Sequence, residues 1–112
     1  MKMIISILSQ SDEENTVHAL NEKGYYVTKL ATMGGFLRKT NTTILIGCDD
    51  EKVEEAVSII KKYSARRTEN VPYMPPTGTA VASGVSVPFV SVPQTVGGST
   101  VFVVDVTHFE KF

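Results

Sequence analysis

Thr28, the adjacent Gly34 and Gly35, Phe36, Leu37, Arg38, Asn41 and Gly47 all fall within one stretch, TKLATMGGFLRKTNTTILIG. Paired glycines admit positive φ and can turn successive N–H groups into a concavity that suits an anion, although a Gly-Gly pair by itself more often makes a plain hairpin turn. Phe36 and Leu37 stand in what should be an exposed connection. An aromatic is costly there unless a ligand stacks on it or it plugs a neighbouring subunit, and the residues leave both open. Arg38 carries a planar fork suited to phosphate, though a surface arginine is more often simply solvated. Asn41 offers a donor and an acceptor together, as reading an adenine edge requires, or serves as a turn residue. Thr28 adds a hydroxyl, and Gly47 has no side chain to block a planar group. Each signal is weak alone; together they suggest a phosphorylated purine.

Other chemistries find less support. Cys48 is the single cysteine, so an internal disulfide and a thiolate zinc cluster are excluded. His18 and His108 have no ligands at metal spacing around them, and no metal or other cofactor is expected. The acidic run DDEKVEE reads as a helix start with a solvated face. No serine or cysteine is accompanied by a recognisable base, so no catalytic nucleophile is assembled and an enzyme is not expected. With 42% hydrophobic and 21% charged residues and a net charge of -1, the chain has the balance of a soluble globular protein rather than a binder of nucleic acid polymers. The apolar run MIISIL, with the acidic SDEEN after it, reads neither as a signal peptide nor as a membrane span, and a cytoplasmic location is expected.

The elements that must position these residues follow from periodicity. Met3 to Leu8 is apolar on both faces, with Met3, Ile5 and Ile7 on one and Ile4 and Leu8 on the other, which predicts a central strand covered from both sides. Ser11 and Glu14 form a capping-box pattern for a helix through Val17 and Leu20 that stops at Gly24. Tyr25 to Met33 and Asn41 to Cys48 read as an antiparallel pair of strands. Asp49 and Asp50 open a second helix with Val53, Ala56, Val57 and Ile60 on its apolar face and Lys61 and Lys62 at its C-terminal dipole. All five prolines then lie between Pro72 and Pro93, and no Asp, Glu, Lys or Arg occurs between Glu69 and Asp105. An uncharged loop of this length usually carries function. Within it VSVPFVSV alternates like an edge strand, and Gly97-Gly98 predicts a hairpin turn into the last strand, STVFVVDV. The expected fold is α+β, a single ferredoxin-like βαββαβ domain over 1–112 with an extra β-hairpin in the long loop before the last strand. Strands apolar on both faces predict association with further copies of the chain in closed symmetry.

Through TKLATMGGFLRKTNTTILIG, the opening MKMIISIL and the ending GGSTVFVVDVTHFEKF, the whole chain resembles the PII-like cyclic di-AMP receptor family. The resemblance implies a homotrimer of ferredoxin-like subunits with a cyclic dinucleotide in each cleft between neighbours. It carries the pocket onto Thr28, Gly35, Phe36, Leu37, Asn41, Gly47 and Phe102. Phe36 and Leu37 would cover an adenine, Asn41 would hydrogen-bond the ligand, and Thr28 with the loop amides would hold phosphate. Tyr26 stands where the family commonly has arginine, Lys39-Thr40 replaces Ala-Gly, and Lys111 replaces a ligand-contacting glutamine. Tyr26, Arg38 and Lys111 are therefore further candidates. The function implied is a non-enzymatic receptor whose loops are ordered by ligand and which signals to an effector protein. A PII-type sensor of ATP or ADP is the alternative. An acylphosphatase-like enzyme is disfavoured, because the phosphate loop it needs after the first strand is replaced by SQSDEEN.

Overall fold

The computed structural model describes residues 1–32, 41–73 and 90–112. They divide into two compact units, Met1–Arg66 with Gly97–Phe112, and Arg67–Val96.

The first unit is a four-stranded antiparallel sheet with two helices. Its strands are β1 (Lys2–Ser9), β2 (Val27–Thr32), β3 (Asn41–Cys48) and β6 (Ser99–Asp105), in the order β2-β3-β1-β6. The apolar β1 is thus central, as its composition requires. Helix α1 (Gln10–Glu22) follows β1, and α2 (Val53–Ser64) follows β3 after a 3-10 turn over Asp50–Lys52. This mixed α+β architecture is compatible with the ferredoxin-like fold.

The core lies between the helices and one side of the sheet. Ile4 and Leu8 of β1 and Ile44 and Ile46 of β3 pack there with Leu20 of α1 and Ala56 and Ile60 of α2. Apolar burial of this kind contributes roughly 25 cal/mol per Å² removed from water. Polar ties pin α1 to the sheet: Glu13 accepts a hydrogen bond from the Thr42 hydroxyl at 2.6 Å and pairs with Lys29 at 3.0 Å. The Thr42 hydrogen bond, then Lys29, holds the Glu13 carboxyl below its ordinary range. Beyond α1, Gly24 adopts φ 89° and closes the helix with the Tyr25 N–H donating to the Leu20 carbonyl and its own N–H to that of Asn21, both at 3.0 Å. Tyr25 is consequently buried. Its hydroxyl lies 2.9 Å from both the Lys52 carbonyl and Glu55 Oε1, and burial first, then Glu55, pushes its pKa up to about 12.

Two sequence expectations are corrected. The capping box at Ser11 does not form, because α1 starts at Gln10 directly off β1 and its N-cap is Ser9, without a side-chain cap; the Ser9 and Ser11 hydroxyls instead face each other at 3.0 Å. The strand before Gly97-Gly98 does not turn back onto the last strand. In the second unit β5 (Val90–Val96) pairs antiparallel with β4 (Arg67–Tyr73), so the partner comes from before the long loop. Among the described residues β4 and β5 pair only with each other, and a strand edge left unpaired accommodates Pro72 and Pro93. Gly97 and Gly98, at φ 77° and 108°, make the exit from this ribbon into β6.

A candidate ligand-binding face

Residues directly opposite in an antiparallel ladder project to the same side of the sheet. Ile4, Ser6 and Leu8 face the helices, so Met3, Ile5 and Ile7 face away from them. The pairings Met3↔Gly47, Ser9↔Asn41, Ile5↔Phe102 and Thr28↔Leu45, with Leu45 opposite Ile5, place Gly47, Asn41, Phe102 and Thr28 on that second side. Four of the residues singled out in the sequence therefore share the face that the helices leave open.

The face is largely apolar and accessible. Phe102 is 51% exposed, Leu30 43% and Val104 39%, values that would be anomalous for a covered sheet face. Thr28 and Gly47 are exposed and Asn41 is half-buried.

The same register separates the four residues. Asn41 and Gly47 stand at opposite ends of β3, about 20 Å apart at the rise of an extended strand. Thr28 and Phe102 lie in one cross-strand row, Thr28–Leu45–Ile5–Phe102, but on opposite edge strands, about 14 Å apart at the usual strand spacing. Tyr26, 91% exposed, precedes β2 and lines a cavity of about 240 Å³ together with Gly47, Cys48 and Lys52. Burial pushes the Cys48 thiol up, as suits a packing residue rather than a nucleophile. Lys111 lies exposed in the irregular stretch after β6. Gly35, Phe36, Leu37 and Arg38 lie outside the described residues.

Asn41 itself lines a larger cavity, of about 730 Å³, where the start of β3 meets the end of α2 and the start of β6. Lys61 and Arg66 line it too. Sequence reasoning passed over both, since Lys61 is already explained by the helix dipole and no local signal brings the end of α2 to Asn41. Among the described residues no three His, Cys, Asp or Glu side chains gather as a metal site would require.

Fold and face together give a mixed α+β architecture, compatible with the ferredoxin-like fold, whose four-stranded sheet leaves one largely apolar face open. The chain belongs to the cyclic-di-AMP receptor family, whose model matches residues 1–112. Among solved structures it is similar to a functionally unknown protein from Pediococcus pentosaceus ATCC 25745, with 34% identity over 99% of this chain and 96% of the other, at a TM-score of 0.78. No described helix is long and apolar enough to cross a membrane.

Proposed function

We propose that the protein is a cytoplasmic, non-enzymatic receptor that binds cyclic di-AMP in the clefts between subunits of a homotrimer and signals to an effector protein through its loops. The observation that carries this reading is the family match over the entire chain. The register supports the division of the site between copies. Asn41 and Gly47 are too far apart on one strand to grip the same compact base, whereas neighbouring copies can bring the start of one β3 toward the end of another. Thr28 and Phe102, on opposite edges, fit the same arrangement. The family resemblance adds Gly35, Phe36 and Leu37 to the proposed ligand contacts, with Tyr26, Arg38 and Lys111 as further candidates. Burying the apolar open face would supply the driving force for assembly.

Calorimetric titration with cyclic di-AMP, cyclic di-GMP, ATP and AMP tests the ligand, and light scattering tests the assembly. Binding of cyclic di-AMP in preference to the others by a particle of three times 12.2 kDa is the expected result. Preference for ATP would replace this reading with a PII-type nucleotide sensor, and steady turnover of acetyl phosphate would replace it with an enzyme.

A further inference from the structure

Building on the reading of Asn41 as a ligand contact, we propose that Lys61 and Arg66 are phosphate-pairing residues of the same site. The cavity that Asn41 lines has the volume of a small-molecule pocket, about 730 Å³. Its described lining combines an apolar floor at Val57 and Val101 with Ser99 as a hydrogen-bonding group, and its charges are those of Lys61 and Arg66. No Asp or Glu is among them. The acidic residues of α2, Glu54 and Glu55, sit in its first turn, about 9 Å or more along the axis from Lys61, so they do not neutralise this end. The cyclic di-AMP of that reading carries two permanently ionised phosphodiesters. An arginine fork and an ammonium on one wall are the groups that pair with such an oxyanion.

The competing explanation for Lys61 is that it only complements the α2 dipole. Lys62 serves that purpose equally from the same turn, but its ammonium lies 5.5 Å from the Tyr63 ring centre and it does not line the cavity. It is the natural control. Cyclic di-AMP is titrated calorimetrically into the wild type, Lys61→Ala, Arg66→Ala, the double variant and Lys62→Ala, at low and high salt. Each single change should weaken binding roughly three- to tenfold, since an accessible charged contact is worth about 1 kcal/mol. The double variant should lose more and show a flatter salt dependence, while Lys62→Ala should match the wild type. Thermal melting verifies folding, and Lys61→Gln with Arg66→Gln replaces any alanine variant that melts early. A double variant that binds like the wild type overturns the proposal. So does a Lys62→Ala loss equal to that of Lys61→Ala, which would signify a diffuse field rather than contact. If the wild type binds no cyclic di-AMP, the reading of the site falls first and this inference falls with it.

Discussion

The two sides of the four-stranded sheet use similar residues for different ends. On the helix side Ile4, Ile44 and Ile46 are completely buried, and the polar groups there are tied down, as Thr42 is to Glu13. On the other side Phe102, Leu30, Ile7 and Val104 remain between 37% and 51% exposed beside Thr28 and Gly47. Because strand side chains alternate, the two sets interleave along each strand and share one backbone. The contrast teaches that the first set is occupied with holding the chain together, leaving the second available for association and ligand.

Substitutions should separate the two sides. The largest effect belongs to the core: Ile44→Ala should cost about 2–5 kcal/mol of stability. Urea denaturation at fixed protein concentration measures it, and a loss no greater than for a surface residue would undo the assignment of this side as the core. Next comes the glycine-aromatic loop, where Phe36→Ala should weaken cyclic di-AMP binding by about 1–3 kcal/mol, or roughly ten- to a hundredfold, with little change in melting. Unchanged affinity in an intact trimer would mean that the loop is not the purine site; a dissociated trimer would make Phe36 a subunit plug.

A smaller effect returns to the helix side. Tyr25→Phe removes a buried hydroxyl between Lys52 and Glu55 and should cost about 0.5–1.5 kcal/mol. The same hydroxyl predicts a pH dependence. Its folded pKa, pushed up to about 12, exceeds the ordinary 10.0, so the stabilisation is complete below pH 10 and lost as pH rises toward 12. Melting curves from pH 9 to 12 should converge for the wild type and Tyr25→Phe, and parallel curves would refute this. The smallest effect is Arg38→Ala, expected to cost about 1 kcal/mol of affinity or less and to fade at high salt. A large, salt-insensitive loss would instead make Arg38 a direct, desolvated contact of the ligand.

Local chemistry made much of this legible in the sequence. The strand Asn41–Cys48 has the bounds its β-branched run implies, and Gly24 ends α1 as its freedom to take positive φ suggests. Thr28, Asn41, Gly47 and Phe102 could be named from residue types and resemblance. Their common face could not, because it depends on the register of three separate strand pairings. Ser11 misled because β1 runs into α1 without a connecting turn, so the helix begins before the motif that looks like its cap. Gly97-Gly98 misled because a local turn signal carries no information about a partner strand that lies before the long loop, at Arg67–Tyr73. Lys61 and Arg66 share a cavity lining with Asn41 only through tertiary packing.

The backbone hydrogen bond from the Gly98 N–H to the Ser64 carbonyl, at 2.9 Å, joins the end of α2 to the beginning of β6. The chain therefore leaves the first unit after α2 and rejoins it before β6 at two points tied to each other. The entropy of closing such a loop grows only with the logarithm of its length, about 0.6 kcal/mol for each doubling. A change in the length of the connection is therefore expected to cost the sheet little closure entropy, leaving the strands that carry Thr28, Asn41, Gly47 and Phe102 in register.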